Sequence, residues 1–168
     1  KQRFLKEART VSDFAQEPGI VRITDYFEEN QTAYIVMNYL EGQTLKKYMK
    51  TQPPMEAESA FRLMLPLMGT LAKIHSYGII HRDISPDNLI LGPDGKLTLI
   101  DFGAAKAYSP TIDQTCSIIL KGGYAPCEQY DSRGKLGPWS DIYALCAVIY
   151  FCITKHAPDD AFQRMLHD

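Results

Sequence analysis

A polar loop enclosed by two apolar segments is the feature of this sequence that most constrains its fold. The stretch GIIHRDISPDNLIL, residues 78–91, places the carboxylate of Asp83 and the amide of Asn88 between runs of Ile and Leu. Residues 88–91 and 96–100 predict two short strands, and the GPDG segment between them has the residues of a tight turn. The resulting hairpin folds the chain back and brings the end of its second strand beside the polar loop.

Asp101 stands at the end of that second strand and is followed by Phe102 and Gly103. Gly103 permits a sharp bend that leaves the Asp101 carboxylate accessible. The carboxylates of Asp83 and Asp101 and the amide oxygen of Asn88 form an all-oxygen set, which suits Mg²⁺ with phosphate as a further ligand. Either motif alone is weak, since Asp-Phe-Gly is usually only a turn and His-Arg-Asp is usually a salt-bridged loop. Their order and spacing together favour a functional site.

Hydrophobic periodicity predicts one helix and one hairpin near the start of the chain. Residues 1–16 have the pattern of an amphipathic helix, which Pro18 and Gly19 end. Residues 20–27 and 33–40 are rich in Ile, Val and Tyr and indicate a hairpin around the polar segment EENQT.

Two longer helices and a loop are predicted for the rest. Residues 55–77 predict a helix that Pro66 kinks or splits. Residues 140–154 predict a helix that is apolar almost all round and therefore belongs in the middle of a core. Residues 104–123 are polar without a sustained period and indicate a loop. The apolar face expected of the helix at 55–77 comprises Phe61, Leu65, Met68, Leu71 and His75.

Composition excludes several classes of protein. The chain has 168 residues, 45% of them hydrophobic, which is enough for one domain with a real core. Its net charge of −2 gives no electrostatic basis for binding nucleic acid or an anionic membrane. Its four cysteines contain no C-x-x-C pair and favour free thiols in the reducing cytoplasm, with Cys146 and Cys152 buried. Because the chain opens on Lys1 and ends at Asp168 without an obvious cap, we expect it to be a segment of a longer protein.

Four motifs in this order resemble those of the eukaryotic-like protein kinase family, and most closely its bacterial Ser/Thr members. HRDISPDN is similar to the catalytic loop, DFG to the metal-binding motif, GYAPCEQY to the end of the activation segment, and SDIYALC to the start of the central helix of the large lobe. The resemblance implies an α+β, protein-kinase-like fold. Its expected parts are a partial small lobe with helix C and a β-hairpin at 1–37, a hinge at 38–42, and a mostly helical large lobe at 43–168. Within the large lobe, the catalytic loop is expected at 81–88 and the activation segment at 101–128. Glu128 is the acidic residue that closes the activation segment.

The resemblance also implies roles for individual residues. Asp83 would accept the proton of a substrate hydroxyl, while Asn88 and Asp101 would hold magnesium ions that bridge the ATP phosphates. Glu7 matches the helix glutamate that pairs with an ATP-positioning lysine, and Asp141 would brace the catalytic loop. Family kinases also contain a column of apolar side chains through the catalytic site, and the matching residues, standing on Asp141, are Val11, Ile23, His81 and Phe102.

The segment IVMNYLEG resembles the hinge that binds the adenine of ATP. Met37 matches the gatekeeper position, and the backbone groups of Asn38 and Leu40 would bind the adenine edge. Ile90 and Leu45 would pack on the two faces of the adenine ring.

Ser85 departs from the family pattern, because Ser/Thr kinases usually carry a lysine there that contacts the transferred phosphate. Three residues before Tyr124 they usually carry a threonine, whereas this chain has Lys121. We therefore expect the Lys121 ammonium to replace the missing lysine beside Asp83, and the Ser85 hydroxyl to replace that of the threonine. The glycine-rich phosphate loop and the strand lysine of the family are also absent, so this segment alone should bind ATP poorly and transfer little phosphate.

Phosphorylation of the activation segment is a further expectation. Arg82, helped by Lys106, could pair with a phosphate on the loop of residues 104–123, since arginine binds phosphate bidentately. An unmodified polar loop is the alternative. The candidate phosphosites are Ser117, at the usual distance before Tyr124, and the nearby Thr111 and Thr115.

The sequence thus predicts a protein Ser/Thr kinase domain that uses ATP and Mg²⁺, acts on a protein substrate in the cytoplasm, and contacts neither nucleic acid nor membrane through this segment. The longer protein could still carry a membrane anchor. The alternative is a pseudokinase, a nucleotide- or protein-binding regulatory module, which Ser85 favours and the intact Asp83, Asn88 and Asp101 oppose. A small-molecule phosphotransferase of the same fold is disfavoured, because such enzymes have His-Gly-Asp and lack an activation segment that ends like YAPCEQ.

Overall fold

The computed structural model describes residues 17–102, 106–107, 121–131 and 134–167. The predicted helix at 1–16, with Glu7 and Val11, lies outside the described residues, as do the candidate phosphosites. The fold is α+β, as predicted. Its elements, in chain order, are β1 Ile23–Glu29, β2 Thr32–Met37, β3 Gln43–Thr44, α1 Leu45–Thr51, α2 Ala57–Ser76, β4 Ile79–Ile80, β5 Leu89–Leu91, β6 Leu97–Leu99, β7 Lys106–Ala107, a 3₁₀ turn Cys127–Gln129, α3 Pro138–Thr154 and α4 Ala161–His167.

The hairpin predicted near the start of the chain is formed by β1 and β2, but its turn is tighter than expected. Asn30 and Gln31 have φ angles of 49° and 58°, and the pair Glu29 and Thr32 closes the ladder on either side of them. Two consecutive residues with positive φ make a two-residue hairpin turn, whose twist matches that of the strands. The polar residues predicted to form a longer loop therefore continue the strands.

The helix predicted over 55–77 is α2, and it is not split at Pro66. A proline inside a helix removes one backbone hydrogen bond and crowds the preceding turn. Here the side chain of Thr70 donates to the carbonyl oxygen of Pro66 (3.2 Å) and to that of Pro18 (2.6 Å). Thr70 thus fixes the helix at this point to the segment that precedes β1.

The buried face of α2 differs from the predicted one by about one residue. Phe61 and Leu65 are 47% and 49% exposed, so their predicted burial is wrong. The sequence carries apolar residues on two adjacent stripes of this helix, and periodicity alone does not choose between them. Packing against α3 and β6 buries Leu71 of the predicted face together with the residues of the adjacent stripe, which are Ala60, Met64, Leu67 and Ile74.

The central helix predicted over 140–154 is α3, but only one side of it is buried in the described part of the chain. That side packs against α2 and includes Leu145, Val148 and Cys152. Trp139 and Tyr150, on the other side, are about half exposed. Cys146 is also exposed, so its predicted burial is wrong, while that of Cys152 is confirmed.

The hairpin of β5 and β6 positions the polar loop as predicted. Leu89 pairs with Leu99 across the hairpin, and the Ile100 N–H donates to the Asn88 carbonyl (2.9 Å). The last residue of the loop therefore lies beside the residue that precedes Asp101. No helix in the described ranges is both long enough and apolar enough to cross a membrane.

Candidate active site

The loop at 81–88 is held by hydrogen bonds to Asp141, which lies near the start of α3. The two carboxylate oxygens of Asp141 accept the backbone N–H groups of His81 and Arg82 at 2.8 Å each, and the His75 imidazole donates from Nε2 at 2.8 Å. Asp141 is completely buried, so these three hydrogen bonds replace its hydration. The predicted bracing role of Asp141 is confirmed.

Two residues next to the reactive groups have strained backbones. Arg82, with φ 71°, immediately precedes Asp83, and Asp101 itself has φ 61°. A residue other than glycine in this left-handed region costs about 1–3 kcal/mol, and such residues concentrate at functional sites. The Arg82 strain is held by the bond of its N–H to Asp141 and by the bond of its carbonyl oxygen to Gln129 Nε2 (3.1 Å).

Asp83 and Asn88 form a direct contact inside the loop. The Asn88 side-chain amide donates to both the backbone oxygen and Oδ2 of Asp83, each at 2.8 Å. This fixes the Asp83 carboxylate and directs the Asn88 amide oxygen elsewhere. Burial raises the pKa of Asp83, and the positive charge of Lys121 and the Asn88 hydrogen bond partly oppose that rise.

Asp101 and Phe102 point to different environments at the end of β6. The Asp101 residue is exposed, whereas Phe102 is buried and packs edge-on against the His81 ring, with 4.5 Å between ring centroids. Burial lowers the pKa of His81 despite the nearby Asp141 carboxylate, so the ring is neutral and suits an apolar stack. Ile23, His81 and Phe102 of the predicted column are all buried.

The residues predicted to hold magnesium fit that function. Asn88 can offer its amide oxygen and Asp101 a carboxylate, and hard oxygen ligands are those that Mg²⁺ prefers. Within the described ranges, no three His, Cys, Asp or Glu side chains are grouped as a metal site. A magnesium ion held here would take its remaining ligands from phosphate and water, as Mg²⁺ usually does.

Several of the predicted adenine-binding residues lie at the end of β2 and in the connection from β2 to β3. Met37 ends β2 and is 46% exposed, and the Asn38 N–H donates to the Arg22 carbonyl (2.9 Å), so Asn38 has its carbonyl to offer a ligand. Leu40 and Ile90 are half-buried. Leu45 is completely buried at the start of α1, so the direct adenine contact predicted for it is not available in this structure.

A cavity of about 400 Å³ lies beside two of these residues, Leu40 and Ile90, which both line it. Its other walls are the neighbours of Leu40, the turn of the β5–β6 hairpin and α2 around Pro66. None of Asp83, Asn88 and Asp101 lines it. This cavity is therefore distinct from the group of oxygen ligands.

Lys121 lies at the loop, but its direct partner is Asp87 and not Asp83. Its ammonium is 2.9 Å from Asp87 Oδ2, and its charge reaches Asp83 through space. Ser85 is completely buried, and its hydroxyl makes no hydrogen bond with any described residue, so the hydroxyl contact expected of Ser85 is not formed.

Sequence reasoning missed Asp87 and its second partner, Lys46. The Lys46 ammonium is 3.1 Å from the same Oδ2 atom. Asp87 could have been noticed as a third charged residue in the loop. No local pattern links it to Lys46, which lies 41 residues earlier.

Glu128 binds the start of the central helix. Its Oε1 atom accepts a hydrogen bond from the Ser140 hydroxyl (2.7 Å), and the adjacent Gln129 binds the catalytic loop through Arg82. The 3₁₀ turn that contains both residues is therefore fixed to both α3 and the loop at 81–88.

Comparison with known proteins agrees with this geometry. Residues 1–165 match the family model described as the protein kinase domain. The serine/threonine-protein kinase PrkC of Bacillus subtilis is 38% identical over 161 residues, which cover 95% of this chain and 24% of that protein. The probable serine/threonine-protein kinase PknB of Lactococcus lactis is 34% identical over 160 residues, covering 94% of this chain and 25% of that protein.

A third relative, the serine/threonine-protein kinase PknL of Mycobacterium tuberculosis, is 31% identical over 157 residues, which cover 93% of this chain and 39% of that protein. The chain thus spans about a quarter of the length of the first two relatives. The family match extends over nearly the whole chain and confirms the resemblance inferred from the four motifs. The chain belongs to the protein kinase family.

Proposed function

We propose that this chain is the catalytic part of a protein serine/threonine kinase, which transfers the γ-phosphoryl group of ATP to Ser or Thr hydroxyls of a protein. The observation that supports it most is the contact of Asp83 with Asn88 in a loop braced by Asp141, beside the exposed Asp101. Relatives named as Ser/Thr kinases share 31–38% of its residues. The reaction would take place in the cytoplasm, where ATP is available.

Each of these side chains has a task in that reaction. The substrate hydroxyl oxygen bonds to the γ-phosphorus as the bond from phosphorus to the ADP oxygen breaks, and the hydroxyl proton passes to Asp83. Asn88 orients the Asp83 carboxylate through its amide N–H. Asn88 and Asp101 would hold magnesium, which neutralises phosphate charge when bound. The Asn38 carbonyl and the Leu40 backbone would orient the adenine.

Lys121 is proposed to supply the phosphate-facing charge that Ser/Thr kinases usually take from a lysine at position 85. It reaches the loop from a different segment, which a flexible four-carbon stem allows. Losing one preorganised charge-stabilising donor typically lowers turnover by ~10²–10³. The pseudokinase alternative, which rests on Ser85, would gain support if Lys121 proved dispensable.

Product analysis tests the proposed activity directly. The longer protein containing this chain is incubated with Mg²⁺, ATP labelled at the γ-phosphate and a mixture of Ser-, Thr- and Tyr-containing peptides, and the labelled amino acids are identified. We expect phosphoserine or phosphothreonine. An active-site-intact protein that binds ATP and labels no hydroxyl would support the pseudokinase alternative instead.

A double-mutant cycle tests the role of Lys121. Lys121→Thr should be severely impaired, and adding Ser85→Lys should restore much of the lost turnover, because the cation returns from the usual position. Lys47→Thr is the matched control, since Lys47 is exposed and makes no ion pair with a described residue. Independent effects of the two changes, or normal turnover of Lys121→Thr, would contradict the exchange.

A further inference from the structure

Three charged side chains from three separate segments meet at one carboxylate oxygen. Asp87 belongs to the catalytic loop, Lys46 to the first turn of α1, and Lys121 to the end of the activation segment. Both ammonium groups contact Asp87 Oδ2, at 3.1 Å for Lys46 and 2.9 Å for Lys121. The three side chains are half to one-third exposed.

The start of α1 is attached to the loop at two points. Besides the ion pair of its side chain, the Lys46 backbone N–H donates to the Pro86 carbonyl (3.0 Å). The single Oδ2 atom of Asp87 thus contacts the ammonium groups of both lysines.

Stability is a weak explanation for this arrangement. Ion pairs between partly exposed side chains contribute little to folding, because water screens them and both side chains lose rotamer freedom. A lysine ammonium on a flexible stem does gain a defined position from such a pair. Lys121 has three N–H donors, so the bond to Asp87 leaves two for another oxygen.

We propose that Asp87, braced by Lys46, is a positioning residue that holds the Lys121 ammonium beside Asp83 for contact with the transferred phosphoryl group. This rests on the proposed function of Lys121. Lys46 supplies the brace because it fixes Asp87 from α1, the helix that follows β3 directly. The charge missing at position 85 is thus replaced by a chain of three side chains and not by one lysine alone.

The test measures kcat and KM for ATP in the longer protein, with a Ser/Thr peptide as substrate. Asp87→Asn should lower kcat about tenfold, the effect of losing one charge-assisted hydrogen bond, with KM for ATP changed little. In the Lys121→Thr background, Asp87→Asn should have no further effect, because the group it positions is gone. Asp87→Glu, which keeps the charge, should recover part of the loss.

Lys46→Gln extends the test to the brace. It should lower kcat by a smaller factor than Asp87→Asn, again only when Lys121 is present. Lys47→Gln, one residue further along α1, is the matched control and should leave kcat unchanged. If Asp87→Asn fails to fold, the same cycle is measured with Lys46→Gln, whose half-exposed side chain can be replaced without opening a cavity.

The outcomes distinguish the positioning role of Asp87 from the proposed role of Lys121 itself. Equal losses from Asp87→Asn, or from Lys46→Gln, in the presence and absence of Lys121 would overturn the positioning role while leaving Lys121 itself important. Normal turnover of Lys121→Thr would overturn both. A rise in KM for ATP with kcat unchanged would assign Asp87 to nucleotide binding and would also overturn the inference.

Discussion

At the scale of single residues, the loop at 81–88 depends on the buried carboxylate of Asp141. Asp141 accepts hydrogen bonds from two backbone N–H groups of the loop and from His75, which lies at the end of α2. A carboxylate only accepts hydrogen bonds, so three converging donors suit it and suit no amide. Asp141 therefore connects the loop to the two helices that form the core.

Asp141→Asn should lower the free energy of unfolding by about 1–3 kcal/mol, the usual cost of an unsatisfied buried polar group. In either orientation, the new NH₂ group faces an N–H donor of the loop or of His75. Urea denaturation of the longer protein measures the change. Asp159→Asn, at an exposed carboxylate, is the control and should be neutral; a similar loss in both variants would contradict this role.

The cysteines should differ in reactivity. Burial raises the pKa of Cys152 to about 11, so little thiolate forms near pH 8 and the sulfur is inaccessible. Cys127 and Cys146 are exposed. Iodoacetamide followed by peptide mass spectrometry should therefore modify Cys127 and Cys146 in the native protein, and Cys152 only after unfolding. Labelling of native Cys152 as fast as Cys146 would show that its side of α3 is open.

At the scale of elements, local chemistry predicted the hairpins and tertiary packing decided the rest. The GPDG turn and the alternation of apolar segments were enough to place β5, β6 and the loop between them. The buried stripe of α2 was not predictable, because adjacent stripes of that helix are both apolar and the choice depends on packing against α3 and β6. The burial predicted for Cys146 was wrong for a related reason, since an all-apolar helix gives no indication of which side a neighbouring element covers.

The candidate site, too, was predictable from the sequence only in part. That Asp83, Asn88 and Asp101 lie near one another was predictable from spacing, because a short hairpin joins Asn88 to Asp101. The contact of Lys121 with Asp87 was not found, since several cations and anions of similar reach were available and their choice depends on where α1 meets the loop.

Pro66→Ala should stabilise the protein by about 1–3 kcal/mol, because alanine restores the missing N–H donor inside α2 and removes the crowding of the proline ring. The Thr70 bonds to the carbonyls of Pro66 and Pro18 do not need the ring and should persist. Thermal unfolding of the longer protein measures the change. Ser59→Ala, at an exposed position of the same helix, is the control for helix propensity. A lower melting temperature for Pro66→Ala would indicate that the ring itself is needed for packing.

At the scale of the whole molecule, the described residues converge on the loop at 81–88. It is attached to α3 through Asp141, to α1 through Pro86 and Asp87, to the residue after β6 through Asn88, and to the 3₁₀ turn through Gln129. The backbone of Lys106 in β7 pairs with Ile80, immediately before the loop. A change in the segment that contains β7 or in the 3₁₀ turn therefore has a direct route to the loop at 81–88.

Phosphorylation should use that route. After incubation of the longer protein with Mg²⁺ and ATP, mass spectrometry should find phosphate within residues 109–117, with Ser117, Thr111 and Thr115 as the candidates. Added phosphate would be attracted to Arg82 and Lys106, near which the segment returns to the loop. The Asp83→Ala protein, treated identically, controls for a contaminating kinase. Absence of phosphate from this segment in an active protein would contradict self-activation.

The central claim is that Asp83 takes the hydroxyl proton while Asp101 holds the metal and nucleotide. The measurement is of turnover and Mg·ATP affinity, side by side, for Asp83→Ala and Asp101→Ala in the longer protein. Asp83→Ala should lose nearly all turnover and bind Mg·ATP almost normally, whereas Asp101→Ala should lose both. Asp94→Ala, in the exposed turn of the β5–β6 hairpin, should change neither. Near-normal turnover of Asp83→Ala would contradict the account.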